Sequence, residues 1–277
     1  MELELLSFDE NPFAKHLKDK YLNWWDSNKS CFLNNNGLSK VISIGKEDQF
    51  LLQRDYANDK LLSKSKCSKN AIPYLEITPL YRYAKDGLLI VNCNPSGTDY
   101  DYYRDYNQKE EPFFYYGELR PENTHFQAVM TFTERVGARA GKKDLPFAMI
   151  DVFPIVIQNQ AVLKSAYKEE TKRNAFNGLL KIFLETIKSI HPAVIIATNA
   201  FVKDLFTDEG TKQPYSLRAL GLLDSFVPNT DEVCYDIKVK EEKTRLYCGG
   251  MIAGGHQMDT ESKSRLIRDV ALYLSKH

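Results

Sequence analysis

The stretch Leu88-Leu-Ile-Val-Asn-Cys-Asn-Pro-Ser-Gly97 decides how the rest of the chain is interpreted. Its apolar first half is typical of a buried strand. The run breaks at Asn94-Pro95-Ser96-Gly97, which consists of turn-forming residue types. A strand that ends in this way delivers polar side chains to the carboxyl end of a sheet, where open α/β sheets bind their ligands. The stretch therefore predicts either a plain turn or the first wall of a binding site.

The composition is typical of a soluble globular protein. The chain has 277 residues, of which 43% are hydrophobic and 27% charged. No apolar run approaches the roughly 20 residues of a membrane helix. The amino terminus lacks the basic start and apolar middle of a signal peptide. We expect a cytoplasmic monomer with no membrane partner.

The net charge of the chain bears on whether it binds nucleic acid. Basic and acidic residues number 37 each, so the zero net charge gives no general attraction to nucleic acid. Binding would need a local basic patch, and the basic stretch 60–69 is either a solvated surface or a phosphate contact.

The five cysteines are widely spaced and form no C-x-x-C motif. This pattern predicts reduced thiols and no metal site.

Short apolar runs alternate with helical patterns from about residue 87. Strands are predicted at 87–94, 147–154, 193–199 and 245–255. Helices are predicted at 124–136, 174–190, 200–206 and 262–274. Asp259 or Thr260 is expected to cap the last of these helices. This alternation predicts a parallel sheet covered on both faces. Right-handed crossovers would then gather Asn94, Asp151, Asn199 and His256 at one sheet edge.

The first 75 residues have a different pattern. An amphipathic helix is predicted from Phe13 to Trp25, followed by turn signals and polar stretches. We expect residues 1–75 to form a helical or irregular extension packed on the core, and residues 76–277 to form the α/β domain.

Two polar residues stand out at the ends of apolar runs. Asp151 ends such a run, where burial without a partner would be costly, so a structural and a functional role are equally open. His256 follows Gly254-Gly255, which permit close approach of backbone to a ligand. It is either a structural or a catalytic histidine.

Aromatic residues follow the first strand. Tyr100, Tyr102, Tyr103 and Tyr106 are either loop packing or a platform on which a base stacks, a contact worth about 1–3 kcal/mol. His125 lies at a predicted helix start, where a cap or surface role is expected.

The order of these pieces resembles the uracil-DNA glycosylase superfamily over residues 87–275, and most of all its mismatch-specific and thymine-DNA glycosylase branch. Asn92-Cys93-Asn94-Pro95-Ser96 is similar to the first family motif, Gly-Ile-Asn-Pro-(Ser/Gly). Asn123-Thr124-His125-Phe126 is similar to the helix start that follows it. The resemblance implies a three-layer α/β/α fold with a central, mainly parallel four-stranded sheet in the order 2-1-3-4.

The resemblance also implies site residues. Asn94 takes the place of the water-positioning Asn, and His256 that of the histidine that stabilises the departing base. Asp151 stands where the family has its base-reading Asn. The remaining substrate-binding residues that we expect are Ser96, Tyr102, Tyr103, Phe126 and Asn199. No metal or organic cofactor is implied.

Three departures from the family pattern bear on substrate choice. Asn92 replaces a glycine, Gln257-Met258 replaces Pro-Ser, and Asp151 replaces an Asn. An ionised carboxylate only accepts hydrogen bonds, so Asp151 suits an exocyclic amino group better than a carbonyl.

The function expected is hydrolysis of the N-glycosidic bond of uracil or another altered base, with DNA or a nucleotide as the partner. The first alternative is an inactive module of the same fold that binds a nucleotide, a nucleic acid or a protein. The second is an unrelated doubly wound hydrolase, which would have a different strand order.

Overall fold

The computed structural model describes most of the chain from residue 124 onward and selected segments before it. The described residues are 12–28, 41–43, 49–51, 75–77, 86–93, 113–115, 124–154, 170–207, 217, 221, 225–229, 234–239, 242–252 and 257–277. The helices are α1 (Pro12–Asn28), α2 (Thr124–Ala140), α3 (Glu170–Ile190), α4 (Ala200–Thr207) and α5 (Thr260–Lys276). The strands are β1 (Val41–Ser43), β2 (Gln49–Leu51), β3 (Leu75–Ile77), β4 (Leu88–Asn92), β5 (Phe113–Tyr115), β6 (Phe147–Asp151), β7 (Val194–Ala197), β8 (Ser225–Asn229), β9 (Cys234–Val239) and β10 (Glu242–Cys248).

The central sheet has six strands in the order β6-β4-β7-β10-β9-β8. The first four are parallel to their neighbours, and β9 and β8 extend the sheet antiparallel. The prediction of a mainly parallel α/β sheet is confirmed. The sheet has six strands, however, and not the four that were predicted. Strand β8 contains Pro228, and β9 alternates Asp236 and Lys238 with apolar residues, so neither strand is a continuous apolar run that would have predicted it.

Helices cover both faces of the sheet, and side-chain alternation divides the core accordingly. Leu89, Ile150, Ile195 and Leu246 pack with α1, α3 and α4 on what we call the α3 face. The opposite side, called the α5 face, is lined by side chains that pack with α2 and α5: Leu88, Ile90, Phe147, Met149, Val194, Ile196 and Tyr247. The near-continuous apolar strands therefore reflect burial on two sides.

Helix α1 belongs to the core of the α3 face, although it lies in the predicted extension. Its side chains Leu17, Tyr21, Trp24 and Trp25 are buried there. The Trp24 Nε1–H donates to the backbone oxygen of Ala175 in α3 at 2.7 Å. The predicted helix from Phe13 to Trp25 is confirmed and is slightly longer. The boundary at residue 75 stays a prediction.

Replacement of Gly178 tests the contact between α1 and α3. A Cβ at this position would lie 2.9 Å from Cδ1 of the buried Trp24 ring. We expect Gly178→Ala to lower the free energy of unfolding by about 1–3 kcal/mol, as overpacked cores do. Urea denaturation measures the change. Asn174→Ala, on an exposed position of the same helix, is the control and should shift stability by less than about 0.5 kcal/mol. A Gly178→Ala protein more stable than the wild type would contradict the contact, because alanine is otherwise the better helix former.

Candidate functional site

Polar side chains from neighbouring strands meet at the carboxyl edge of the parallel sheet. Asn92 at the end of β4 is the register partner of Asp151 at the end of β6. Thr198 and Gly249 each lie one residue beyond the pairs that β7 forms with β4 and β10. The ladder continues past the strand ends, with Thr198 N–H donating to Val91 O at 3.0 Å. Asp151, Asn92 and Thr198 thus form one row across the sheet, which we call the polar row, and Gly249 continues this row on β10.

Strand alternation assigns Asn92 and Thr198 to the α5 face. Leu88 and Ile90 lie on that face, and Asn92 follows at the same spacing of two residues. Ile196 in β7 bears the same relation to Thr198. These two side chains therefore lie at the polar rim of an apolar wall.

Asn92 is oriented by Thr198. The buried Thr198 hydroxyl donates to Asn92 Oδ1 at 2.7 Å and lies 3.1 Å from Val91 O. Since the hydroxyl has one hydrogen, the shorter contact is the main bond. With Oδ1 occupied in this way, the Asn92 Nδ2 group is directed away from Thr198. Among the residues that the structure describes, Nδ2 has no hydrogen-bond partner.

Asp151 is buried, with 7% of its surface exposed. It lies at the end of an outer strand of the sheet and interacts electrostatically with Tyr21 of α1. Burial raises the pKa of Tyr21 above its ordinary value, and the Asp151 carboxylate adds to the rise. The Tyr21 phenol therefore stays neutral to well above physiological pH. Helix α1 thus places a neutral hydroxyl in the field of this carboxylate.

Asn199 lies at the same edge, but part of its side chain has a structural role. Its Oδ1 accepts from Phe201 N–H at 2.7 Å, and its backbone oxygen accepts from Lys203 N–H at 2.9 Å. These are the bonds of an N-cap residue, and they start helix α4. A ligand bound at this edge would find the Asn199 oxygen already engaged.

The chain between β10 and α5 is held close to the sheet edge on both sides of residues 253–256. Met258 N–H donates to Met251 O at 2.8 Å, and Lys263 Nζ donates to Ile252 O at 2.8 Å. Gln257 forms a parallel bridge with Met251. Residues 251–252 and 257–263 are therefore joined directly to each other.

Two glycines allow that closure. A Cβ on Gly250 would lie 2.8 Å from Met258 Cγ, and one on Gly249 would lie 3.2 Å from Met258 Sδ. The Met258 side chain therefore packs directly over the backbone that leaves β10. Asp259 then caps α5 by accepting from Ser262 N–H at 2.8 Å, which confirms one of the two predicted caps.

The predicted site residues divide into two groups. Asn94, Ser96, Tyr102, Tyr103 and His256 lie outside the described residues. Asp151 and Asn199 lie at the carboxyl edge of the sheet, and Phe126 lies in the first turn of α2.

Sequence reasoning missed Asn92 and Thr198 as site residues. From the sequence, Asn92 was considered only because it replaces the glycine of the first family motif. Its two-residue spacing from Ile90 was a signal that it continues one face of β4. Thr198 gave no such signal, because its bond to Asn92 depends on the register between β4 and β7.

His125 is the second residue of α2 and is partly buried. Burial lowers its pKa, so the imidazole is neutral at physiological pH.

No group of three or more His, Cys, Asp or Glu side chains within the described segments could hold a metal ion. Of the helices described, none is long and apolar enough to cross a membrane.

No protein-family model matches the chain, and no curated protein matches it. The function is therefore inferred from the fold and from the residues at the carboxyl edge.

The capping role of Asn199 predicts a stability effect. Asn199→Ala removes the acceptor for Phe201 N–H and should lower the free energy of unfolding by about 1 kcal/mol. Asn199→Asp keeps an acceptor and should stay within about 0.5 kcal/mol of the wild type. Urea denaturation compares the two variants. Equal stability of both with the wild type would contradict the cap.

The thiol of Cys248, at the end of β10, predicts a pH dependence. Burial raises its pKa from 9.0 to about 12, while Lys203 lowers it and Asp204 raises it by smaller amounts. Between these two values the unfolded chain releases a proton that the folded chain retains. The free energy of unfolding therefore falls as pH rises through that window. Unfolding at about pH 8 and about pH 10.5 should show a smaller fall for Cys248→Ala than for the wild type. Parallel pH profiles would contradict the assigned shift.

Proposed function

We propose that this protein is a DNA glycosylase-like enzyme that hydrolyses the N-glycosidic bond of uracil or another altered base in DNA. One observation carries the proposal. Counted along the chain, the parallel strands β4, β6, β7 and β10 are first to fourth, and their spatial order is 2-1-3-4. That order is the one that the resemblance to uracil-DNA glycosylases implies. Polar residues stand at the carboxyl ends of β4, β6 and β7, where such a sheet binds its ligand.

The proposed reaction needs a base extruded from the stack and held at this edge. Tyr102, Tyr103 and Phe126 would stack on it, while Ser96 and Asp151 contact its edge or the adjoining backbone. Asn199 stands at the same edge as a further contact through its amide nitrogen.

Asn94 and His256 would carry the chemistry. The Asn94 amide positions a water whose oxygen bonds to the sugar carbon as the N-glycosidic bond breaks. The base leaves with the electron pair of that bond and receives the proton that the water gives up. His256 donates a hydrogen bond to the base carbonyl, where negative charge develops.

The positions of the described neighbours support these roles. Asn94 directly follows Cys93, whose backbone oxygen accepts from Phe153 N–H at 3.0 Å at the end of β6. His256 directly precedes Gln257, which is bridged to Met251. Both catalytic positions therefore adjoin backbone that is fixed to the same sheet edge.

An inactive module of the same fold is the second candidate. The observation that favours it is the packing of Met258 on Gly249 and Gly250. In the family that the chain resembles, the residues at positions 257 and 258 are Pro-Ser and grip a phosphate. Here the second of them fills the space beside the backbone instead. Such a module would bind a nucleotide, a nucleic acid or a protein without releasing base.

Base release decides between the two candidates. The full chain is incubated with single- and double-stranded DNA carrying uracil or a mismatched thymine, and free base is measured by chromatography. We expect release from at least one substrate and a fall of about 100-fold or more in Asn94→Ala and His256→Ala. His16→Ala, at an exposed position of α1, is the matched histidine control and should leave release unchanged.

No free base from any substrate with the wild-type chain would contradict the proposed activity. If that inactive wild type binds DNA, and Asn94→Ala binds it equally well, the result supports the inactive module.

A further inference from the structure

We propose that Lys263 is a positioning residue for the proposed reaction, which acts through His256 by fixing the residues on both sides of it in the sequence. Lys263 lies in the first turn of α5. In this role it contacts neither the base nor the DNA. The inference rests on the proposed function, because it names the residue that restrains the histidine of that site.

Lys263 joins the chain that leaves β10 to the start of α5. Its Nζ donates to Ile252 O at 2.8 Å, and Ile252 is buried. The same Nζ lies 3.5 Å from Gln257 Oε1, which is a weaker contact. Ile252 precedes His256 in the sequence, and Gln257 directly follows it. The ammonium group therefore contacts the chain before and after the histidine.

Backbone bonds join the same stretches of chain. Met258 N–H donates to Met251 O at 2.8 Å. The backbone N–H of Lys263 donates to Asp259 O at 3.0 Å, and Asp259 caps α5 through Ser262 N–H. The lysine is thus held by a capped helix at its backbone and by a buried strand exit at its ammonium group.

The position of Lys263 opposes the electrostatic preference of a helix. A cation in the first turn faces the positive end of the helix dipole, which is unfavourable. Asp259 and Glu261 in the same turn offset part of that cost. Side chains of a helix point back toward its amino end, so Lys263 reaches the chain that precedes α5. Residues that oppose a local preference are concentrated at functional sites.

The contacts of Lys263 supply a restraint that the resembling family obtains differently. That family has a proline at position 257, and proline restricts its own backbone and that of the residue before it. Gln257 imposes no such restriction. Lys263 and the bond between Met251 and Met258 fix the flanking backbone instead. Because hydrogen-bond donation to a departing base depends on accurate placement, the restraint bears on the rate of base release.

Three variants separate positioning from a direct contact with DNA. Lys263→Met removes the ammonium group and keeps an unbranched side chain, whereas Lys263→Arg keeps a cationic donor. Lys276→Met, at an exposed position of the same helix, is the matched control. Single-turnover release from uracil or mismatched-thymine DNA, whichever the wild type processes faster, measures the rate. Fluorescence anisotropy with the same DNA measures affinity, and circular dichroism verifies that each variant is folded.

We expect Lys263→Met to slow base release by about tenfold or more, with DNA affinity within about twofold of the wild type. Lys263→Arg should stay within about threefold of the wild-type rate, because it keeps a donor for Ile252 O. Lys276→Met should leave the rate unchanged. In the His256→Ala background, Lys263→Met should slow release by less than about twofold, because no histidine remains to be positioned.

A wild-type rate in Lys263→Met would overturn the inference. The same loss in the presence and in the absence of His256 would also overturn it, as would an arginine variant as slow as the methionine variant. A loss confined to DNA affinity would overturn it too, because Lys263 would then be a direct phosphate contact.

Hydrogen exchange measured by NMR tests the restraint without base release. Met258 N–H should exchange at least about fivefold faster in Lys263→Met than in the wild type, because its partner Met251 adjoins the released Ile252. The N–H of Ile196, in the middle of the sheet, should exchange at the wild-type rate. Equal exchange of Met258 N–H in the two proteins would overturn the inference.

The failure of this inference is distinguishable from the failure of the proposed function. No base release by the wild-type chain overturns the proposed activity and, with it, the role of Lys263. Base release at an unchanged rate in Lys263→Met overturns the role of Lys263 alone.

Discussion

The parallel ladder that β4 forms with β6 on one side and β7 on the other is the constraint on which the rest of the site depends. Leu88, Leu89, Ile90 and Val91 are fully buried, with apolar layers on both faces. A slip of one residue would move each of these side chains to the opposite face, so burial fixes the register strongly. The same register aligns Asn92 with Asp151 and brings Thr198 within hydrogen-bond distance of Asn92. A core made of apolar contacts thus sets the positions of the polar groups above it.

The elements around the sheet reinforce that edge. Helix α1 packs its tryptophans against α3 and brings Tyr21 into the field of Asp151. On the other side, Met258 covers Gly249 and Gly250, and the Met251–Met258 hydrogen bond fixes the chain before α5. The amino-terminal helix is therefore part of the environment of the carboxyl edge, although it lies outside the region of family resemblance.

Sequence reasoning predicted the fold more completely than the site. The apolar runs at 88–92, 147–151 and 194–197 are buried on two faces, so their strands were evident from hydrophobicity alone. Strand β8 carries Pro228 and β9 carries charged residues, and both were missed because an antiparallel extension needs no continuous apolar run. Asp151 stood out as a carboxylate at the end of an apolar run. The Asn92–Thr198 bond joins residues 106 apart in the chain, and only strand register reveals such a pair.

The central claim is that the register of β4 places Asn92, Asp151 and Thr198 in one row at the carboxyl edge of the sheet. A crystal structure of the full chain tests it most directly. We expect Asn92 to pair with Asp151 between β4 and β6, and the Thr198 hydroxyl to donate to Asn92 Oδ1 with heavy atoms about 2.5–3.0 Å apart. A register shifted by one residue, or an Asn92 amide with its oxygen turned away from Thr198, would contradict the account.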